Sequence, residues 1–262
     1  MIAFGMSEKG PVREMNEDNF GYEQVGNCLC MAVADGVGGE TCGEIASKLA
    51  IEAVMENLKE SLAFVKDRAD LPSYLKTVFN KVNMKILKNC LENRERLGMC
   101  TTLTLAIMKG TELTIAHIGD SRAYMLHGNE LIKLTEDHNE SARLVKHGLI
   151  TEEEAKCHPG RNRLFKVVGE NQYLNPDIYS YNISYGDLVF LCSDGLYSFM
   201  TDEQFKTCAR ERNDLESVCK RLINQALEGR SSDNITVTIG RAMPAAELSW
   251  EIWQIRFTAP RA

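Results

Sequence analysis

The pattern of apolar and polar positions divides the chain into short strands and amphipathic helices. Nearly continuous apolar runs, too short for a membrane span and typical of strands buried on both faces, occupy 29–34, 113–118 and 187–193. Apolar residues at helical spacing predict two helices, from Ile45 to Leu58 and from Leu75 to Ile86. We expect all of these elements to pack into the core.

From Thr101 onward the period changes to that of strands. The segments TTLTLAI, ELTIAHI, SRAYMLH and ELIKL are rich in β-forming residues and separated by turn-forming pairs, which predicts an antiparallel meander. Short helices are expected at 139–148 and 151–156, the second with a Thr N-cap and a Glu at the capping-box position. This mostly polar excursion is as compatible with an ordinary surface insertion as with a substrate-facing flap.

The last third of the chain returns to alternating strands and helices. Strands are expected at 177–184, 187–193 and 235–239, and helices at 201–209 and 214–228. Runs of strands with paired helices, and no regular βαβ alternation, favour an α+β layered fold over a doubly wound sheet. With 262 residues, 44% of them hydrophobic, and no obvious linker, the chain is predicted to form one domain.

Charge and cysteine usage exclude several classes of function. The formal net charge of -7 argues against nucleic acid as the principal partner, because phosphate contacts need concentrated Lys and Arg. The nine cysteines show no CxxC pair or Cys/His finger spacing, so we expect buried free thiols in a reducing compartment. The opening MIAFGMSEKG lacks a basic leader, and no apolar run reaches the ~20 residues of a membrane span. A cytoplasmic protein is expected.

Acidic residues recur at the ends of the predicted core strands. Asp35, Asp120 and Asp194 each end an apolar run, while Asp18 and Asp233 stand directly beside strands. Any one of them alone is nearly as well explained as a turn cap. If all five converge, cations must neutralise their repulsion, because clustered carboxylates are costly away from water. Hard oxygen ligands of this kind suit Mn²⁺ or Mg²⁺.

Seven motifs together resemble the ordered motif set of the bacterial PPM, or type 2C, Ser/Thr protein phosphatases. They are RxxNED at 13–18, VADGVGG at 33–39, GExAS at 43–47, CTTL at 100–103, GDSR at 119–122, CSDG at 192–195 and DNITV at 233–237. The resemblance implies a PPM-type phosphatase domain over 1–241, folded as a four-layer αββα sandwich of two antiparallel β-sheets flanked by helices. Residues 242–262 fall beyond the family pattern and form a C-terminal tail of unknown role.

The resemblance also implies a role for each acidic position. Asp35 bridges two divalent ions, Mn²⁺ or Mg²⁺. One ion is held further by Asp18 and the Gly36 carbonyl, and the other by Asp194 and Asp233. Two such ions lower the pKa of a shared water, and the resulting hydroxide attacks phosphorus in line without a phosphoenzyme.

Two further positions follow from the same motifs. Asp120, together with Asp194, corresponds to the third metal site of bacterial members, so a third ion is a further expectation. Val37 stands where animal members carry a His directly after the Asp-Gly, so a general acid from that place is absent. Water or a flap group must then protonate the leaving alkoxide.

Arg13 is the predicted phosphate ligand. Its planar guanidinium matches two phosphate oxygens better than a lysine does. The alternative is a surface salt bridge to Glu14 or Glu17. Arg13 and Asp35 are the expected catalytic residues.

The sequence therefore predicts a metal-dependent protein Ser/Thr phosphatase. The alternatives are a phosphoprotein-binding pseudophosphatase and a different two-metal hydrolase, such as a nuclease. Retention of every expected carboxylate favours the active enzyme over the binder, and the acidic charge disfavours the nuclease. The expected partners are phosphorylated proteins, themselves substrates of a cognate Ser/Thr kinase. A monomer is expected.

Overall fold

The computed structural model describes residues 1–37, 42–65, 67–210 and 214–244. In this part of the chain two antiparallel β-sheets pack face to face, and helices cover the outer face of each sheet. This is the four-layer αββα sandwich predicted from the sequence. None of the helices in the described ranges is both long and apolar enough to cross a membrane.

The strands and helices follow the predicted order closely. In chain order the strands are β1 Ile2–Glu8, β2 Asp18–Val25, β3 Cys28–Val37, β4 Cys100–Thr101, β5 Leu103–Lys109, β6 Glu112–Ile118, β7 Arg122–His127, β8 Glu130–Lys133, β9 Asp177–Asn182, β10 Leu188–Cys192 and β11 Ile235–Arg241. The α-helices are α1 Gly43–Ser61, α2 Leu71–Glu92, α3 Glu140–Lys146, α4 Glu152–Cys157, α5 Asp194–Tyr197, α6 Asp202–Cys208 and α7 Leu215–Glu228. Among the α-helices of the described residues, α5 alone was not expected.

The two sheets differ in the helices that cover them. One sheet has the order β1-β11-β10-β7-β8 and packs against α5, α6 and α7. The other has the order β2-β3-β5-β6-β9, with β4 paired to the end of β3, and packs against α1 and α2. The apolar stripes predicted for α1 and α2 therefore face the core, because they cover one face of a sheet.

A separate apolar layer fills the space between the two sheets. Met31 and Met108 come from one sheet, and Val189 and Leu191 from the other, and all four side chains are buried. Gly240 on β11 belongs to the same layer, where a Cβ atom would lie only 2.7 Å from the Met31 sulfur. Close packing of this kind leaves little room for a larger side chain.

The predicted single meander from β5 to β8 is wrong. β5 pairs with β6 and β7 pairs with β8, but β6 and β7 lie in different sheets. The chain crosses at Gly119, whose φ of 106° favours glycine and whose Cβ would lie 2.5 Å from the Thr102 side chain. Strand period and turn residues indicate where strands end, but they do not say which sheet receives the next strand. Asp120 consequently lies at the seam between the sheets.

The polar excursion after β8 contains the two expected short helices. Asn139 caps α3 by accepting a hydrogen bond from Ala142, and Thr151 and Glu154 form the predicted capping box of α4. The excursion leads from β8 in one sheet to β9 in the other. Of the predicted tail at 242–262, residues 245–262 lie outside the described residues.

Candidate active site

Strand ends from both sheets meet at one edge of the sandwich. Asp18 opens β2 and pairs in register with Asp35 near the end of β3. In the other sheet Asp194 follows β10, Asp120 precedes β7 and Asp233 precedes β11, and these three strands are neighbours whose ends here coincide. The structure thus brings the five predicted acids, contributed by both sheets, to the same edge.

A serine at the end of β10 links the two sheets at this edge. The Ser193 hydroxyl donates a hydrogen bond of 2.6 Å to Asp18 Oδ2. The same hydroxyl accepts a hydrogen bond from the Thr236 N–H, and the Ser193 N–H donates to the Thr236 carbonyl. Because Asp18 and Ser193 belong to different sheets, this contact fixes the two halves of the acidic cluster relative to each other.

The backbone around Asp35 is held by two threonines. The Asp35 N–H donates to Thr102 Oγ1 at 2.8 Å, and the Asp35 carbonyl accepts from the Thr102 N–H and from the Thr101 hydroxyl. The next residue, Gly36, donates its N–H to the Glu17 carbonyl. A Cβ atom on Gly36 would lie 2.3 Å from the Gly43 carbonyl oxygen, so only glycine fits there.

Burial and neighbouring charges raise the carboxyl pKa values of Asp18, Asp35, Asp120 and Asp194. Burial is the largest cause throughout, and it raises the pKa of Asp18 to about 6 and that of Asp120 to about 7. The pKa values of Asp35 and Asp194 are raised well above the usual range, first by burial and then by the neighbouring carboxylates. Such a cluster favours either protons or cations.

The donor set fits hard divalent cations. Asp18 Oδ1 is buried and accepts no hydrogen bond from the described residues, which is costly for a carboxylate oxygen unless a cation or proton meets it. As the side chains stand, no group of three or more His, Cys, Asp or Glu within the described ranges is closed tightly enough to hold a metal ion. Asp18 accepts a hydrogen bond from Ser193, and Asp233 pairs with an arginine. These two carboxylates therefore already have protein partners at the edge of the sandwich.

That arginine is Arg13, the predicted phosphate ligand. Arg13 Nη2 donates to Asp233 Oδ2 at 2.8 Å, whereas Nη1 lies 4.0 Å from Glu17. The hydrogen bond to Asp233 is the largest influence on the Arg13 pKa and raises it. The side chain of Arg13 stays 46% exposed, so it remains accessible to a ligand while it contacts the acidic cluster.

A half-buried arginine behind Asp120 was not recognised from the sequence. Arg122 donates through Nε and Nη2 to the Asp137 carboxylate, and its guanidinium carbon lies 3.6 Å from the centre of the Tyr197 ring. The Tyr197 hydroxyl in turn donates to the Asp120 carbonyl at 3.0 Å. The positive charge of Arg122 lowers the pKa of Asp120, against the larger effect of burial. The GDSR motif contains Arg122, but its partners are distant in sequence and no local signal identifies them.

The acidic cluster is separate from a cavity at the other end of the second sheet. That cavity of about 390 Å³ is lined by residues that include Val25, Cys28, Ile107 and Lys109. β3 runs from Cys28 at the cavity to Asp35 at the cluster, so the two lie at opposite ends of one strand. The cavity is therefore no part of the candidate active site.

A sequence model of a known protein family matches most of the chain. The model described as protein phosphatase 2C matches residues 12–230. The chain belongs to the protein phosphatase 2C family. The matched segment contains Arg13, Asp18, Asp35, Asp120 and Asp194, and it ends shortly before the DNITV motif. The family predicted from the motifs is confirmed.

Individual relatives agree with this assignment over nearly the whole chain. The serine/threonine phosphatase stp of Listeria monocytogenes is 32% identical over 234 residues, which cover 89% of this chain and 92% of that protein. The crystal structure of serine/threonine phosphatase Stp1 from Staphylococcus aureus matches with a TM-score of 0.86 at 30% identity, covering 91% of this chain and 94% of that one. The catalytic domain of serine threonine protein phosphatase PstP, in complex with 2 manganese ions, matches with a TM-score of 0.78 at 32% identity, covering 93% and 98%. The αββα fold of this family member is confirmed.

Proposed function

We propose that this protein phosphatase 2C family member hydrolyses phosphoserine and phosphothreonine in proteins with the help of divalent cations. The observation that carries the proposal is the convergence of five aspartates from two sheets beside one accessible arginine. The Ser/Thr phosphatases of Listeria monocytogenes and Staphylococcus aureus, similar over most of the chain, support it. Its substrates would be phosphorylated proteins, including those modified by a cognate Ser/Thr kinase.

Two cations are proposed to bind at the acidic edge. Asp35 would contact both of them, Asp18 and the Gly36 carbonyl would complete one site, and Asp194 and Asp233 the other. Asp18 Oδ1, which accepts no hydrogen bond from the part of the chain that the structure describes, supports this assignment, and so does the manganese complex of the similar PstP domain. Either Mn²⁺ or Mg²⁺ fits an all-oxygen donor set. Bound there, divalent cations would lower the pKa of water and withdraw charge from phosphoryl oxygens.

A third cation is proposed to bind beside Asp120 and Asp194. Burial raises the pKa values of both carboxyl groups, and the charge of Asp120 raises the pKa of Asp194 further. This indicates an excess of negative charge on this side of the cluster. Arg122 supplies only part of the compensation. An Asp120→Asn variant should therefore bind one cation fewer than the wild type when both are titrated calorimetrically.

Side chains around the acidic edge would orient the phosphoryl group and the carboxylates. Arg13 reaches the acidic edge and remains half-exposed, so the N–H groups that do not bind Asp233 are available to bind phosphoryl oxygens. Ser193 and the two threonines at Asp35 keep the carboxylates in place. Val37 carries no proton to donate, so water or a group on the polar excursion would protonate the leaving alkoxide.

The test is hydrolysis of a phosphothreonine peptide by protein that has been stripped with EDTA and dialysed. We expect negligible release of phosphate until MnCl₂ or MgCl₂ is restored, and no recovery with metal in an Asp35→Asn control. Full activity in the stripped wild type would contradict metal dependence. Tight peptide binding without turnover at any metal concentration would instead support the pseudophosphatase.

A further inference from the structure

Asn234, directly after Asp233, has a buried side chain that makes three hydrogen bonds to one loop. Its Nδ2 donates to the carbonyls of Lys9 and Met15, and its Oδ1 accepts from the Glu17 N–H, each at 2.9 Å. The residue is only 4% exposed. No role for this side chain follows from the metal ligands or the phosphate ligand.

Only a carboxamide matches this set of partners. Two loop carbonyls require two N–H donors, and one loop N–H requires an acceptor, which is what an asparagine side chain offers. An aspartate in its place would repel both carbonyls, and an apolar residue would leave three buried backbone groups without partners. The side chain at position 234 is therefore matched to the loop and not merely to the space available.

The loop that Asn234 holds carries Arg13. Lys9 lies before Arg13, and Met15 and Glu17 lie after it, so the three hydrogen bonds fix both ends of the segment. Gly10 brings the same loop against the Asp233 carbonyl oxygen, which would lie 2.3 Å from a Cβ atom on Gly10. The backbone under Arg13 is thus held in place while the long side chain keeps its rotational freedom.

Asn234 also contacts the other half of the cluster through its backbone. Its N–H donates to Asp233 Oδ1 at 2.9 Å, and its carbonyl oxygen would lie 2.0 Å from a Cβ atom on Gly195. Gly195 directly follows Asp194. One residue therefore touches the Arg13 loop, the Asp233 carboxylate and the segment of Asp194.

We propose that Asn234 is a positioning residue that sets the place of Arg13 relative to the carboxylates, and hence the geometry in which a phosphoryl group is bound. This inference rests on the proposed function, because it takes Arg13 as the phosphate ligand. Asn234 touches neither substrate nor cation through its side chain. Its side chain is expected to affect phosphate binding through Arg13.

The experiment compares Asn234→Ala and Asn234→Ser with the wild type in the presence of saturating Mn²⁺. We expect the KM for a phosphothreonine peptide, and the inhibition constant of inorganic phosphate, to rise about tenfold in Asn234→Ala and less in Asn234→Ser, which keeps one hydroxyl. Calorimetric Mn²⁺ affinity should change less than about threefold, because the metal ligands remain. A large loss of metal affinity with an unchanged phosphate constant would overturn the proposal.

Asn80→Ala is the matched control. The Asn80 side chain on α2 makes the same pattern of bonds, donating to the carbonyls of Lys76 and Leu174 and accepting from the Leu174 N–H, away from the acidic edge. This variant should lower the melting temperature without changing either phosphate constant. If Asn80→Ala raised the two constants as Asn234→Ala does, the effect would be general destabilisation and the proposal would fail.

A double-mutant cycle with Arg13→Ala isolates the route of the effect. In the Arg13→Ala background, Asn234→Ala should change phosphate inhibition by less than about twofold, since the group it positions is gone. Equal effects in both backgrounds would overturn the proposal. Gly10→Ala would press the same loop away from the Asp233 carbonyl while the Asn234 side chain is kept. It should reproduce the rise in the wild-type background only, so it decides the matter if the Asn234 variants do not fold, and a rise that persists in the Arg13→Ala background would overturn the proposal. Absence of hydrolysis in the wild type would refute the proposed function itself, whereas inorganic phosphate binding, measured by calorimetry, would still report on Asn234.

Discussion

Arg13 and Asp233 form a direct ion pair, with 2.8 Å between Arg13 Nη2 and Asp233 Oδ2. The predicted phosphate ligand is therefore hydrogen-bonded to a predicted metal ligand, and neither Glu14 nor Glu17 is its closest partner. A guanidinium and a divalent cation favour the same carboxylate oxygen. The two halves of the proposed chemistry are consequently linked through a single side chain.

Replacement of Arg13 should weaken phosphate binding and strengthen metal binding. We expect Arg13→Ala to raise the KM for a phosphothreonine peptide and to lower kcat, and Arg13→Lys to recover part of the loss, because a point charge cannot reproduce a two-pronged contact. Calorimetry without substrate should show tighter Mn²⁺ binding in Arg13→Ala, since the competing cation at Asp233 is removed. Arg68→Ala, which breaks a surface pair with Glu112, is the control and should leave both measurements unchanged. An unchanged kcat/KM in Arg13→Ala would rule out the phosphate contact.

Replacement of Asp35 or Asp194 should separate activity from stability. Asp35→Asn and Asp194→Asn should lower kcat by several orders of magnitude, yet resist urea better than the wild type in EDTA at pH 8, because each removes a charge from a repelling cluster. The matched control is Asp187→Asn at the opposite end of β10, where a buried carboxylate accepts hydrogen bonds from Ser184 and His127. That variant should lose stability. Loss of folding in both cluster variants would make these acids structural.

Stability of the metal-free protein should fall as the pH rises. The folded pKa values of Asp18 and Asp120, about 6 and about 7, lie above the ordinary carboxyl value of about 4. Groups of this kind contribute stability that is fully present below the ordinary value and is lost as the pH rises through the folded values. Urea unfolding in EDTA should therefore give a lower free energy at pH 8 than at pH 5, with a smaller difference in Asp120→Asn. A stability that rises between these pH values, equally in both proteins, would contradict the assignment.

Replacement of Arg122 should destabilise the fold behind the active site. Arg122→Leu leaves the buried Asp137 carboxylate with Lys133 as its remaining cationic partner and removes the contact with the Tyr197 ring. We expect a loss of about 3 kcal/mol in the free energy of unfolding, as for other buried pairs that lose one partner. Urea denaturation in EDTA measures it without interference from bound cations. A loss below about 1 kcal/mol would show that Lys133 alone suffices.

The sequence predicted the elements well because their signals are local. Helices α1 and α2 have apolar residues at helical spacing, and α4 and α6 begin with capping boxes that the structure contains. Helix α5 escaped prediction because four residues are too few for a periodic pattern. Local signals fixed the ends of strands but not the sheet to which each strand belongs.

The sequence predicted the acidic residues of the candidate site but not the contacts that these residues make. Asp35, Asp120 and Asp194 stand at strand ends that apolar runs reveal. The contacts of Asp18 with Ser193 and of Arg13 with Asp233 join residues 175 and 220 positions apart, and no periodicity carries such information. Asn234 is the second residue of the DNITV motif, yet the positioning role proposed for it depends on contacts with a loop near the start of the chain.

The apolar layer between the sheets sets the distance between the two halves of the acidic cluster. Asp18 and Asp35 belong to one sheet, and Asp120, Asp194 and Asp233 stand at strand ends of the other, so the thickness of that layer sets how far apart the two groups of carboxylates stand. A Cβ atom on Gly240 would lie 2.7 Å from the Met31 sulfur and 2.9 Å from the Met108 sulfur, so both thioether groups would have to move. To the extent that these methionines do not take up the displacement, Gly240→Ala would move the two sheets, and the carboxylates they carry, relative to each other. A residue buried far from the acidic cluster would then affect an assay as a change in the cluster itself does.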